Sequence, residues 1–185
     1  MNTTEFLQEI ITELSQSANQ IDGQEAEDLV NKISEANKVF VAGAGRSGFM
    51  AKSFAMRMMH MGLDAYAIGE TVTPGFDQDD ILLIATGSGE TKSLVTIAEK
   101  AKKIGGTIVA VTLSPTSTIG NLADFTVTLP GAPKDHTGTD AHTIQPMGSL
   151  FEQTSLLFYD AVILRFMEKK GLDTNNMYGK HANLE

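Results

Sequence analysis

Two short stretches combine glycine with hydroxyl side chains in an order that can hold an anion. One is Gly43-Ala44-Gly45-Arg46-Ser47-Gly48; the other is Thr86-Gly87-Ser88-Gly89-Glu90-Thr91. In the second, Gly87 and Gly89 let backbone N–H groups converge, and the hydroxyls of Thr86, Ser88 and Thr91 add donors. A helix starting directly after it adds roughly half a positive charge at the same point. Such a loop can hold a phosphate monoester without a basic cradle. The G-K-[S/T] ending of a nucleotide P-loop is missing, which argues against ATP hydrolysis. The first stretch matches G-x-G-x-x-G, a pattern shared by dinucleotide loops and by plain strand-to-helix turns. Glu70 stands where a ribose-binding acid would, but the chain is too short for a dinucleotide fold together with a substrate domain.

Acid–base groups are few. Glu152 lies in Gly148-Ser149-Leu150-Phe151-Glu152-Gln153, at the start of a long helical pattern and flanked by apolar residues. Taken alone, it is equally a proton acceptor and a first-turn glutamate stabilised by the helix dipole. His181 sits in a terminal tail, where chains fray, and His60 sits among methionines, where a histidine is often a satisfied core residue; either imidazole suits proton transfer near neutrality. His136 and His142 fall in an irregular stretch and receive no role. No histidine pair has ligand spacing on a predictable face, so no metal site is expected. Arg46 suits either sugar hydroxyls and a developing oxyanion or an ordinary surface ion pair, and Ser47 faces the same loop.

These groups must be held by an alternating chain. Phe6, Ile10, Ile11, Leu14, Ala18 and Ile21 have helical spacing, with Asn2 and Glu5 at capping-box distance. A second helix follows Asp22, with Glu25 three residues on and Ala26, Leu29, Val30, Ile33 and Ala36 on its apolar face. Strands are expected at Lys38–Ala42, Asp64–Ile68, Ile81–Ala85, Thr107–Leu113 and Phe125–Leu129. Helices are expected at Phe49–Met61, Lys92–Ile104, Ser117–Ala123 and Gly148–Lys170. The apolar run Ile81–Ala85 reads as a strand covered on both faces. The alternation predicts one α/β domain over residues 1–185, a three-layer α-β-α sandwich with a five-stranded parallel sheet and two N-terminal helices. Ligands bind such sheets outside the strands' carboxyl ends, where both glycine loops lie.

Composition narrows the function classes. The 185 residues carry a formal charge of −9, which disfavours a nucleic-acid partner. There is no cysteine, so a thiolate, disulfide or zinc-thiolate site is out of reach. The first residues lack the order of a signal peptide and no apolar run spans a bilayer, so a cytoplasmic protein without membrane contact is expected.

The paired loops Gly43–Ser47 and Thr86–Thr91 resemble the signature loops of the sugar isomerase (SIS) domain family. VFVAGAGRSGFMAKSFAMRMMHMG, SGETKSL, IQPMGSLFEQ and the terminal HANLE resemble its 6-phospho-3-hexuloisomerase branch over essentially the whole chain. Thr86 departs mildly, since many relatives carry serine there, but the hydroxyl is kept. The Lys134–Ala141 stretch is read as variable and carries no motif. The resemblance implies isomerisation of D-arabino-hex-3-ulose 6-phosphate to D-fructose 6-phosphate through an enediolate, without a cofactor, in the ribulose monophosphate route of formaldehyde fixation beside a 3-hexulose-6-phosphate synthase. It implies Glu152 as the base and His181 as the proton shuttle, with His60 competing. It places Ser47, Thr86, Gly87, Ser88, Gly89, Glu90 and Thr91 on the substrate, with Arg46 beside them; Glu90 is also read as capping the helix that follows it. A non-catalytic sugar-phosphate module and an isomerase of another sugar such as arabinose 5-phosphate are the alternatives. Relatives assemble, and Phe6, Ile10 and Leu14 with Tyr159 and Phe166 offer surplus apolar surface, so a homodimer or homotetramer is expected.

Overall fold

The computed structural model describes residues 1–134 and 143–184. His136, His142 and residues 135–141 of the stretch read as variable lie outside them. Five strands, β1 (Val39–Gly43), β2 (Ala65–Ala67), β3 (Ile81–Ala85), β4 (Thr107–Thr112) and β5 (Phe125–Thr128), form one sheet. All neighbours are parallel and the order is β2-β1-β3-β4-β5, the expected architecture. Phe40 lies beside both Tyr66 and Leu82, and Gly43 beside Ala85, so β1 and β3 end level with one another. Strand order reverses between them, and a crevice opens at that switch point.

Helices α1 (Thr3–Ala18), α2 (Gly23–Glu35), α3 (Gly45–His60), α4 (Lys92–Ile104), α5 (Thr118–Leu122), α6 (Ser149–Lys170) and α7 (Thr174–Tyr178) surround the sheet. Side chains alternate across a strand, so Val39, Val41, Leu83 and Val109 face α2, α3 and α6, where Leu29, Phe54, Met58 and Phe158 meet them. Phe40, Ala42, Leu82 and Ile108 face the opposite way, onto Leu94 and Ala98 of α4 and Ile119 of α5. Burial on both faces explains why these strands read as continuous apolar runs. α1 packs outside, against α6. No described helix is long and apolar enough to cross a membrane.

The expected capping signals act at two helix starts. Asn2 Oδ1 accepts from Glu5 N at 3.0 Å while Asn2 N donates to Glu5 Oε2 at 2.7 Å. Asp22 Oδ1 accepts from Gln24 N and Glu25 N. Glu25 does not close a second capping box; its carboxylate accepts from Thr128 N at 2.7 Å and ties α2 to the end of β5.

Two expectations need correction. The first glycine loop is mostly helix, since α3 begins at Gly45 rather than Phe49. Gly45 takes a left-handed turn (φ 59°), and a Cβ on Gly48 would lie 2.6 Å from the Gly43 carbonyl oxygen. The outer glycines thus let the helix start directly against the strand end. The expected assembly face also divides differently: Tyr159 and Phe166 are core residues, whereas Phe6, Leu7, Ile11, Leu157 and Leu164 are exposed. The short α7 was not foreseen, because five residues are too few to show a period.

Replacing Gly48 by Ala forces that contact apart. The expected cost is about 1–3 kcal/mol, the range for overpacking. It is read as a lower urea midpoint with an unchanged m-value; a wild-type midpoint would refute the close approach.

Candidate active site

Helices α1, α2 and α5 start with a side-chain cap, from Asn2, Asp22 and Ser117. Helices α3, α4 and α6 start at Ala44, Thr91 and Gly148 with no side-chain cap bond. Their caps, Ala44, Thr91 and Gly148, line a single cavity of about 410 Å³. The first-turn N–H groups of a helix have no partner inside it, so an uncapped end facing a cavity offers donors and a positive dipole end to an anion. Three such ends meet here, in a chain of net negative charge.

Between them lies the hydroxyl loop. Thr86, Gly87, Ser88 and Thr91 line the cavity from the end of β3, and Ser47 lines it from the first turn of α3. Thr86 Oγ1 accepts from Gly89 N at 3.1 Å and Ser88 Oγ accepts from Glu90 N at 3.2 Å. Each hydroxyl accepts within the loop and keeps its own proton to donate outward. The neighbouring chain braces the loop from behind: Leu113 N and Thr112 Oγ1 both donate to Gly87 O, at 3.2 Å each. A Cβ on Gly89 would meet Ser117 Oγ at 1.8 Å, so this position, with φ 69°, must be glycine.

The opposite wall carries Glu152. Gly148 takes no side chain into the space beside it, and Phe151 packs under Gly87 and against the Gly131 backbone, which seats the start of α6 over the ends of β3 and β5. Glu152 is buried at 6% exposure, yet its carboxylate lines the cavity. Arg46 Nη1 donates to Glu152 Oε2 at 3.2 Å and to Ser149 Oγ at 2.9 Å. Arg46 is not among the residues that line the cavity, and its guanidinium joins the start of α3 to the start of α6.

Other expected residues separate. Glu90 turns away from the cavity: its carboxylate accepts from Thr118 N at 2.8 Å and Thr118 Oγ1 at 2.7 Å, which holds it below the usual carboxylate range. It caps α5, not the α4 that follows it in sequence. Gly89, within the loop, is not among the residues that line the cavity and faces Ser117. Glu70 pairs with Lys52, so the acid that could have marked a ribose is engaged at the surface.

The two candidate histidines meet each other instead. Their rings stack with centroids 5.3 Å apart at the C-terminal end of α3. Burial, Arg57 at 3.4 Å and His181 itself push the His60 imidazole below its ordinary value. Ser47 is on the first turn of the same helix, so the pair stands about 20 Å away along α3 from its own crevice.

Lys134, Ala132 and Pro133 complete the cavity wall and were not anticipated. Their signal was position alone: they follow β5, and every strand's carboxyl end feeds this edge. Lys134 is the one cation among the described lining residues. No trio of His, Asp and Glu with metal-holding geometry occurs among the described residues. The arrangement can hold a phosphate at the hydroxyl loop while a carboxylate stands over the rest of the same small molecule.

Comparison with known proteins agrees with this chemistry. A SIS domain model matches residues 32–161. The 3-hexulose-6-phosphate isomerase of Bacillus subtilis is 55% identical over 185 residues, all of both chains. That of Mycobacterium gastri is 39% identical over 94% of this chain and 86% of its own. A crystal structure from Methanococcus jannaschii, said to infer a 3-hexulose-6-phosphate isomerase function, superposes with a TM-score of 0.84 at 34% identity, covering 98% and 99% of the two chains.

Ser88→Ala removes one charge-assisted donor and should cost about 1.5–3 kcal/mol of phosphate-ester binding. Calorimetry with a sugar phosphate measures it, and unchanged affinity would remove the loop from the site. The His60 environment predicts a pH effect. Its folded pKa lies below the unfolded value of about 6.5, so the unfolded chain binds the extra proton, and stability falls as pH drops below about 6.5. Urea midpoints at pH 7.5 and 5.5 should differ less in His60→Gln than in wild type.

Proposed function

The chain belongs to the SIS domain family, and we propose that its crevice interconverts D-arabino-hex-3-ulose 6-phosphate and D-fructose 6-phosphate. The observation that carries this reading is one buried carboxylate, Glu152, sharing a cavity with the hydroxyls of Thr86, Ser88 and Thr91 and three uncapped helix ends. The loop anchors the phosphate of the substrate, and that binding energy positions the carbonyl end.

The reaction moves a carbonyl by one carbon. Glu152 takes the proton from C2, and the C2–H electron pair forms the C2=C3 bond while the C3 carbonyl pair moves onto its oxygen. The enediolate then regains a proton on C3 as the C2 oxygen becomes the carbonyl. One carboxylate over one face of the substrate serves both carbon proton transfers. Arg46 fixes its orientation from outside the cavity. Nothing in these steps exchanges electrons with a second reactant. A 3-hexulose-6-phosphate synthase supplies the substrate in the ribulose monophosphate route.

A second group must carry a proton between the two oxygens. His181 remains the candidate, but not in its own chain, where it stacks on His60 at the far end of α3. We assign it to the crevice of a neighbouring protomer in a homodimer or homotetramer. Exposed Phe49, Met56 and Met59 along α3 support contact between copies there.

Glu152→Gln keeps the shape and removes the basicity. Turnover should fall about 10²–10⁴-fold, the range of general-base catalysis, with affinity for fructose 6-phosphate nearly unchanged. A folded variant with near-normal turnover would end this assignment. Glu152→Gln and His181→Ala proteins, each impaired alone, should regain activity when their subunits are mixed, since one mixed crevice then holds both native residues. No recovery in verified mixed oligomers would return His181 to its own chain or to no role.

A further inference from the structure

Helix α1 contributes no fully buried apolar residue; its buried positions are Glu13 and Ser17. Glu13 is 9% exposed and has no cationic partner among the described residues. Its carboxylate instead accepts three bonds from neutral donors: Thr143 Oγ1 at 2.7 Å, Ile144 N at 2.8 Å and Gln145 Nε2 at 2.8 Å. Those bonds outweigh burial and hold the carboxyl below its usual range. Burying a carboxylate without a cation is costly unless its oxygens are satisfied, and an apolar residue would suit a plain packing contact better.

The three donors form the turn that leads into α6. Gln145, itself 4% exposed, accepts from Gln153 Nε2 at 2.6 Å through its side-chain oxygen. Gln153 is the neighbour of Glu152. Between the turn and the helix, Met147 takes φ 59°, a left-handed conformation that a non-glycine residue holds only when the chain on both sides is fixed. On the upstream side that anchor is the Glu13 network; on the downstream side it is α6.

We propose that Glu13 is a positioning residue for the reaction: through Thr143, Ile144 and Gln145 it sets the entry into α6 and so the place of Glu152 on the cavity wall. It does not line the cavity and touches no substrate. The hydroxyl loop lies on other elements, so the anchoring of phosphate does not depend on it.

The test rests on the proposed isomerisation and separates from it. In Glu13→Gln the charge is lost and the amide N–H₂ faces at least one donor, so the three bonds are kept only if the Gln145 and Gln153 amides both turn over. The expected result is a folded protein whose kcat drops on the order of 10²-fold, as for a displaced catalytic group, with fructose 6-phosphate affinity nearly unchanged. Amide hydrogen exchange at Ile144, Gln145 and the first turn of α6 should quicken while that of Gly87–Thr91 does not. Gln153→Ala, which cuts the last link alone, should show the same split more weakly and stands in if Glu13→Gln does not fold. A folded Glu13→Gln with wild-type kcat overturns the proposal, as does a parallel loss of kcat and phosphate affinity. If the wild type fails to isomerise, the reaction is wrong, and the exchange pattern still decides the clamp.

Discussion

An α-helix leaves its first N–H groups without partners, and this fold aims three such ends at one cavity while side chains cap α1, α2 and α5. The site depends on that asymmetry. It lets a chain of charge −9 hold an anion with few cations at hand, because the positive potential comes from fixed backbone dipoles. It also explains the glycines: Gly43 and Gly48 allow α3 to begin in contact with the strand end, and Gly89 allows the hydroxyl loop to lie flat on Ser117. A side chain at any of these points would move a helix end away from the cavity.

The wall that carries Glu152 is assembled from parts far apart in the chain. Glu152 is placed by Phe151 beneath the hydroxyl loop, by Arg46 from the start of α3, and by the Glu13 network from α1. The contacts come from α1, α3 and α6 itself, so the carboxylate is fixed from several directions while one side stays open to the cavity. The loop is likewise braced by Thr112, Leu113 and Thr118 from the β4–α5 connection. The hydroxyl loop and Glu152 thus rest on separate supports.

The histidine pair marks the other end of the molecule. A parallel sheet sends each following helix back antiparallel to its strand, so residues at the two ends of α3 serve opposite edges of the sheet. His60 and His181 therefore lie beside the amino ends of the strands, and Ser47 and Glu152 beside the carboxyl ends. Within one chain, Glu152 and the two histidines thus lie at opposite ends of α3.

Much of this was legible in the residues. Apolar and β-branched runs marked five strands, and α4 and β3 have the expected bounds; α4 ends where Gly105 takes a left-handed turn (φ 96°), a local signal. The hydroxyl loop and Glu152 were visible as types at strand and helix ends, although assigning Glu152 a role needed family resemblance. Less local facts were hidden. Arg46 bonds Glu152 across 106 residues, and Glu13 reaches Gln145 across 132. Glu90 caps a helix next to it in space rather than in sequence. Nothing in the order of residues shows that Arg46 bonds a glutamate, since it reads only as a cation in a loop. The sequence by itself determined the elements, the layers and the edge where a phosphate can sit, because periodicity, caps and glycines act over a few neighbouring residues. Only the tertiary structure decided which side chains meet there, because partners in a buried site are chosen by the packing of whole layers.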